Sequence, residues 1–102
     1  MSVTCKAEGR SLCLFISGEV DHHGAREILR ELDRQIDQAL PLRLTVDLSG
    51  VSFMDSSGIA VLLRAYRRMG ELGGAMMVTG IPAQPEKVLR AAGLSRLMKI
   101  EE

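Results

Sequence analysis

Apolar residues recur along this chain in two rhythms. Leu12, Leu14 and Ile16 alternate with Cys13 and Phe15, the two-residue period of a strand with unlike faces. Val3 to Ala7 reads as a strand before it, with a turn at Gly9 between the two. The spacing then changes. Ala25, Ile28, Leu29, Leu32, Ile36, Ala39 and Leu40 share one side of a helix, and Arg26, Glu27, Arg30, Asp33, Arg34 and Asp37 share the solvated side. Asp21 is placed to cap that helix and Pro41 to end it. Alternation returns at Leu44, Val46 and Leu48, within a strand expected over Leu42 to Leu48. A second helix is expected from Ser56 to about Leu72, closed by Gly73-Gly74. Ala75 to Thr79 reads as a short buried strand, Ala83 to Ala92 as a third helix and Leu97 to Ile100 as a last strand. The order β-β-α-β-α-β-α-β predicts one α/β domain over residues 1–102. Its sheet would have four to five strands, mostly parallel, with an antiparallel strand at the edge and flanking helices.

On the second helix, Ile59, Leu62, Leu63, Tyr66, Met69 and Gly70 fall together, and this face is assigned to the core. Ser57, Ala60, Val61, Arg64, Arg67, Arg68 and Glu71 fall on the other side. Next to Ser56 that outer face is small and apolar, at Ala60 and Val61, and Arg64 follows. A flat patch lets a partner approach closely, and arginine pairs with carboxylates through two parallel hydrogen bonds. Ala60, Val61 and Arg64 are therefore candidate partner contacts.

Aromatic residues are only 3% of the chain, so the core must come from Leu, Ile, Val, Met and Ala. Thirteen basic residues balance thirteen acidic ones, which argues against nucleic acid as a partner. No run approaches the roughly 20 apolar residues of a membrane helix, so no membrane insertion is expected. The N-terminus has no signal-peptide layout, and a cytoplasmic location is expected. Cys5 and Cys13 lack a metal-binding spacing and read as reduced thiols. A three-residue turn would set them face to face, and a two-residue turn would point them to opposite faces.

One stretch breaks the pattern. In "SFMDSSGIAVLL" an apolar pair runs into Asp55-Ser56-Ser57-Gly58 before the hydrophobic residues resume. Asp55 or Ser56 can cap the helix that follows, and Gly58 lets backbones approach. A serine hydrolase would need a first glycine that this stretch lacks, with base and acid partners. No phosphate-binding loop is present, so no enzymatic activity and no cofactor are expected. An exposed serine at a helix start suits a phosphoacceptor, because free N–H groups and the helix dipole tolerate added negative charge. Asp21-His22-His23 invites a metal reading. Adjacent histidines do not face one another, however, and no second carboxylate cluster is visible, so no metal is expected.

Three stretches, "SGEVDHHGA", "LTVDLSGVSFMDSSGIAVLLRAYRR" and "LGGAMMVTGIPAQPEKVLRAAGLSRLMKI", together resemble the STAS domain (sulfate transporter and anti-sigma factor antagonist). The likeness is greatest to stand-alone bacterial anti-sigma factor antagonists and spans almost the whole chain. It implies a small STAS-like α/β sheet flanked by helices, and a serine directly after the motif aspartate that a partner kinase phosphorylates. That serine matches Ser56, with Asp55 before it and Ser57 and Gly58 after it. The family's acidic residue after the second strand matches Asp21, and Asp21, Asp55, Ser57 and Gly58 are expected partner contacts around Ser56. The resemblance further implies that the unphosphorylated form binds an anti-sigma factor serine kinase, and that a serine phosphatase resets the phosphorylated form. The family usually carries a further C-terminal helix after the last strand. A second reading is a non-enzymatic STAS subunit of a stress-signalling or lipid- or solute-transport complex.

Overall fold

A computed structural model describes residues 1–101; Glu102, the last residue of the expected domain, lies outside them. Strand β1 (Ser2–Glu8) pairs antiparallel with β2 (Ser11–Val20), and Glu8 stands opposite Ser11. The turn is therefore the two residues Gly9 and Arg10, with Gly9 at φ 61°. This short turn decides the cysteine alternative. Cys5 stands opposite Leu14 and Cys13 opposite Lys6, so the two thiols project from opposite faces of the sheet.

Helix α1 (His22–Ala39) leads to β3 (Arg43–Met54), α2 (Ser56–Glu71), β4 (Ala75–Thr79) and α3 (Ala83–Ala91). A short 3-10 turn at Leu94–Arg96 precedes β5 (Lys99–Glu101), so Leu97 is an exposed connector and not the start of a strand. The strands lie in chain order, β1-β2-β3-β4-β5, and all pairs after the first are parallel. Each parallel crossover steps one strand in the same direction, and right-handed crossovers then place all three helices on one face. Leu12, Leu14 and Ile16, Leu44, Val46 and Leu48, and Met76 and Val78 point into that helical layer and are buried. The alternating positions Cys13, Phe15, Thr45, Asp47 and Met77 form the other face, half-buried or exposed. Leu40, expected in the core, is 51% exposed, because the helix has already ended there in a left-handed residue at φ 43°.

Strand β3 runs six residues beyond Leu48, its expected end. Its second half pairs with the end of β2, from Ser17↔Gly50 to Val20↔Met54, after one shift of register between Phe15 and Ser17 and across a second between Gly18 and Glu19. Gly50 permits this approach, since a Cβ there would stand 2.8 Å from the Ser17 Cβ. The extension brings the ends of β2 and β3 level, and a helix starts from each.

Candidate functional site

Asp21 directly follows Val20, Asp55 directly follows Met54, and those two residues are paired in the sheet. The caps of α1 and α2 consequently stand side by side at one corner of the domain. Asp21 accepts a hydrogen bond from the Gly24 N–H at 2.9 Å. That bond holds its carboxyl below the usual carboxylate range, with the nearby His23 acting in the same direction. Asp55 accepts from the Ser57 N–H at 2.8 Å and is the N-cap of α2. Of the two candidate caps, the aspartate therefore takes the task. Ser56 is the first residue of the helix and is exposed.

The other residues singled out from sequence separate into different environments. Ser57 is half-buried and Gly58 is buried. A Cβ on Gly58 would stand 2.4 Å from the Met54 Cγ, so this glycine is where α2 closes onto the end of β3. Ala60 is exposed, as expected. Val61 is not: it is 2% exposed and belongs to the core. Arg64 is exposed but bonded within the domain, 3.1 Å from Asp33 of α1. Arg68 bonds the same aspartate at 2.8 Å and also Asp37, so this side of α2 is fastened to α1.

The core face of α2 is in fact Gly58, Val61, Leu62, Ala65 and Met69. Ile59 and Leu63, assigned to the core from sequence, are half-buried, while Tyr66 and Gly70 are exposed. The wheel was turned by side-chain size. Large apolar residues draw the expected face toward Tyr66, whereas α2 closes onto the end of β3 at the small residue Gly58, with Ala65 buried on the same face. The exposed residues of α2 that follow Ser56 are thus Ala60, Arg64, Tyr66, Arg67, Gly70 and Glu71, while Ile59 and Leu63 pack against the core at its edge.

One further contact was invisible along the chain. Gln84 of α3 receives the Met54 N–H on its side-chain oxygen and donates its amide to the Met54 carbonyl, both at 2.8 Å. Thirty positions separate the two residues, and no local pattern marks a glutamine for such a task.

His22 and His23 are exposed, with ring centroids 6.1 Å apart. Among the described residues no cluster of three or more His, Cys, Asp or Glu is placed to hold a metal ion. No helix among them is long and apolar enough to cross a membrane. The Cys5 thiol packs beside the core, and burial, with Glu31 adding to it, pushes its pKa up to about 11.

The STAS domain family model matches residues 2–102. The chain belongs to the STAS domain family. This STAS domain is 32% identical over 89 residues to the anti-sigma F factor antagonist of Paenibacillus polymyxa, covering 87% of this chain and 76% of that protein. It superposes with a TM-score of 0.85 on the anti-sigma factor antagonist SpoIIAA in its unphosphorylated form, at 23% identity, over 97% of this chain and 87% of that one. It also matches the Bacillus cell fate determinant SpoIIAA in the phosphorylated form, with a TM-score of 0.76 at 23% identity over 97% of this chain and 90% of that one. At such identities the two structures speak to the fold, a mixed sheet carrying its helices as described above.

Proposed function

We propose that this STAS domain is an anti-sigma factor antagonist switched by phosphorylation of Ser56. The observation that carries the reading is the division of labour at the start of α2. Asp55 makes the cap, and Ser56 beside it is exposed, so the serine hydroxyl is available for chemistry. The name of the Paenibacillus polymyxa relative supports the class of function.

In the unphosphorylated form the corner around Asp21, Asp55 and Ser56, with Ala60 on the outer surface of α2, binds an anti-sigma factor that is also a serine kinase. The Ser56 oxygen attacks the γ-phosphorus of ATP, the bond to the ADP oxygen breaks, and the hydroxyl proton passes to a base of the kinase. The product carries about −1.5 to −2 additional charges at a corner that already holds two carboxylates. The helix N-terminus tolerates this charge within the domain. A packed interface does not, because the phosphate must be desolvated against the partner. A thousandfold loss of affinity needs only about 4 kcal/mol, so the switch requires no refolding. A serine phosphatase restores the binding form.

Incubation with ATP and an anti-sigma factor serine kinase, followed by intact mass and peptide mapping, tests the reading. One phosphate on Ser56 is the expected product, and phosphate on Ser57 alone would overturn the assignment. Titration of the kinase with the Ser56→Asp chain should show weakened binding with the circular dichroism spectrum unchanged.

A further inference from the structure

Met54 ends β3 in an unusual position. The Asp55 N–H donates to the Val20 carbonyl at 3.3 Å, so the backbone on that side of Met54 is joined to β2. The Met54 N–H and carbonyl then point the opposite way, toward β4. No strand among the described residues meets them there, because β3 and β4 pair only as far as Asp47↔Thr79. The Gln84 side chain fills the place. Its amide offers one acceptor and one donor in a plane, as a strand backbone does, and makes both bonds at 2.8 Å.

The clamp acts on the corner through three short links. The Met54 side chain, 2% exposed, lies under Gly58 in the first turn of α2. The next residue, Asp55, is the cap. Ser56 follows at once, so the direction of its hydroxyl depends on the backbone held at Met54. We infer that Gln84 is a positioning residue for Ser56, setting the pose in which the serine meets the kinase. The inference rests on the phosphorylation reading above and deepens it, since it assigns control of that site to α3. Gln84 is itself half-buried and need not touch the kinase.

Two variants separate positioning from stability. Gln84→Met keeps the length and removes both bonds, and Gln84→Asn keeps the amide but falls one methylene short. Amide hydrogen exchange should show the Met54 and Ser57 N–H groups opening at least about tenfold faster in both, with the core of the sheet unchanged. Steady-state phosphorylation with ATP and an anti-sigma factor kinase that labels the wild-type chain should show kcat reduced by about fivefold or more, with KM for the domain within about twofold. Melting temperature reports any loss of fold. Normal kcat in both variants, on a wild-type chain that is phosphorylated at Ser56, overturns the positioning role alone. A rise in KM that tracks a lower melting temperature also overturns it, since that is the signature of general destabilisation. A wild-type chain that no such kinase phosphorylates at Ser56 overturns the underlying reading, whatever the exchange data show.

Discussion

Replacing Gly58 with alanine sets two effects against each other at the start of α2. Alanine is the better helix former by about 1 kcal/mol in a helix interior. The added Cβ would, however, stand 2.4 Å from Cγ, 2.7 Å from Sδ and 2.8 Å from Cε of Met54, where ordinary contact begins at 3.4 Å. Met54 must retreat by about an ångström. It is 2% exposed, and the nearest clash is with its Cγ, close to the backbone, where the side chain has least freedom. Overpacking of this kind costs about 1–3 kcal/mol. The helix gain is below its full value in the first turn, so overpacking wins and the net loss is about 1–2 kcal/mol. A domain of this size should then melt roughly 5–15 °C lower. Gly70 provides the control on the same helix: a Cβ there meets nothing within 4 Å. Gly70→Ala should therefore hold or raise the melting temperature, by up to about 1 kcal/mol of stability. Thermal melts and urea titrations of both variants read the difference. If Gly58→Ala melts at or above wild type, or if both glycines respond alike, the contact with Met54 does not govern this position.

Asp55→Ala should cost about 1 kcal/mol for the lost cap, whereas Ser56→Ala should stay within about 0.5 kcal/mol; equal losses by urea titration would place the cap on the serine. Neighbouring residues on α2 should diverge: Val61→Asp puts an unpaired charge in the core and should cost at least about 3 kcal/mol, while Ala60→Glu should leave the melting temperature unchanged yet weaken kinase binding in calorimetry. Kinase binding unaffected by Ala60→Glu would move the contact away from α2. Cys5 has a raised folded-state pKa, from 9.0 to about 11, so its contribution is fully present below pH 9 and is lost as pH rises through about 11. Stability should therefore decline over that interval, and urea titrations of Cys5→Ala should show a shallower decline; parallel curves would remove Cys5 as the cause.

Several features of this domain are written locally and could be read along the chain. The alternation of Leu12, Leu14 and Ile16 and the helical spacing from Ala25 to Ile36 report the environment of each element directly, because burial on one face imposes its own period. The motif Asp55-Ser56-Ser57-Gly58 announced a helix start, since capping needs only residues within one turn. Other features depend on partners distant in sequence. Strand β3 passes Ser49-Gly50 because, with one extra residue of its own at each of two register shifts, it keeps pairing with the end of β2, and neither segment alone carries that instruction. The buried face of α2 turns away from Tyr66 and takes in Val61, because the close contact of the helix start with Met54 demands a residue as small as Gly58 there. Arg64 looked free until α1 supplied Asp33. Gln84 gave no sign of its role, for a hydrogen bond between residues 30 positions apart leaves no periodic trace. The sequence by itself thus determined the elements, their order and the serine to suspect. The tertiary structure decided which side of α2 faces outward and which distant side chain bonds the backbone at Met54, because both follow from contacts that exist only once the sheet has formed.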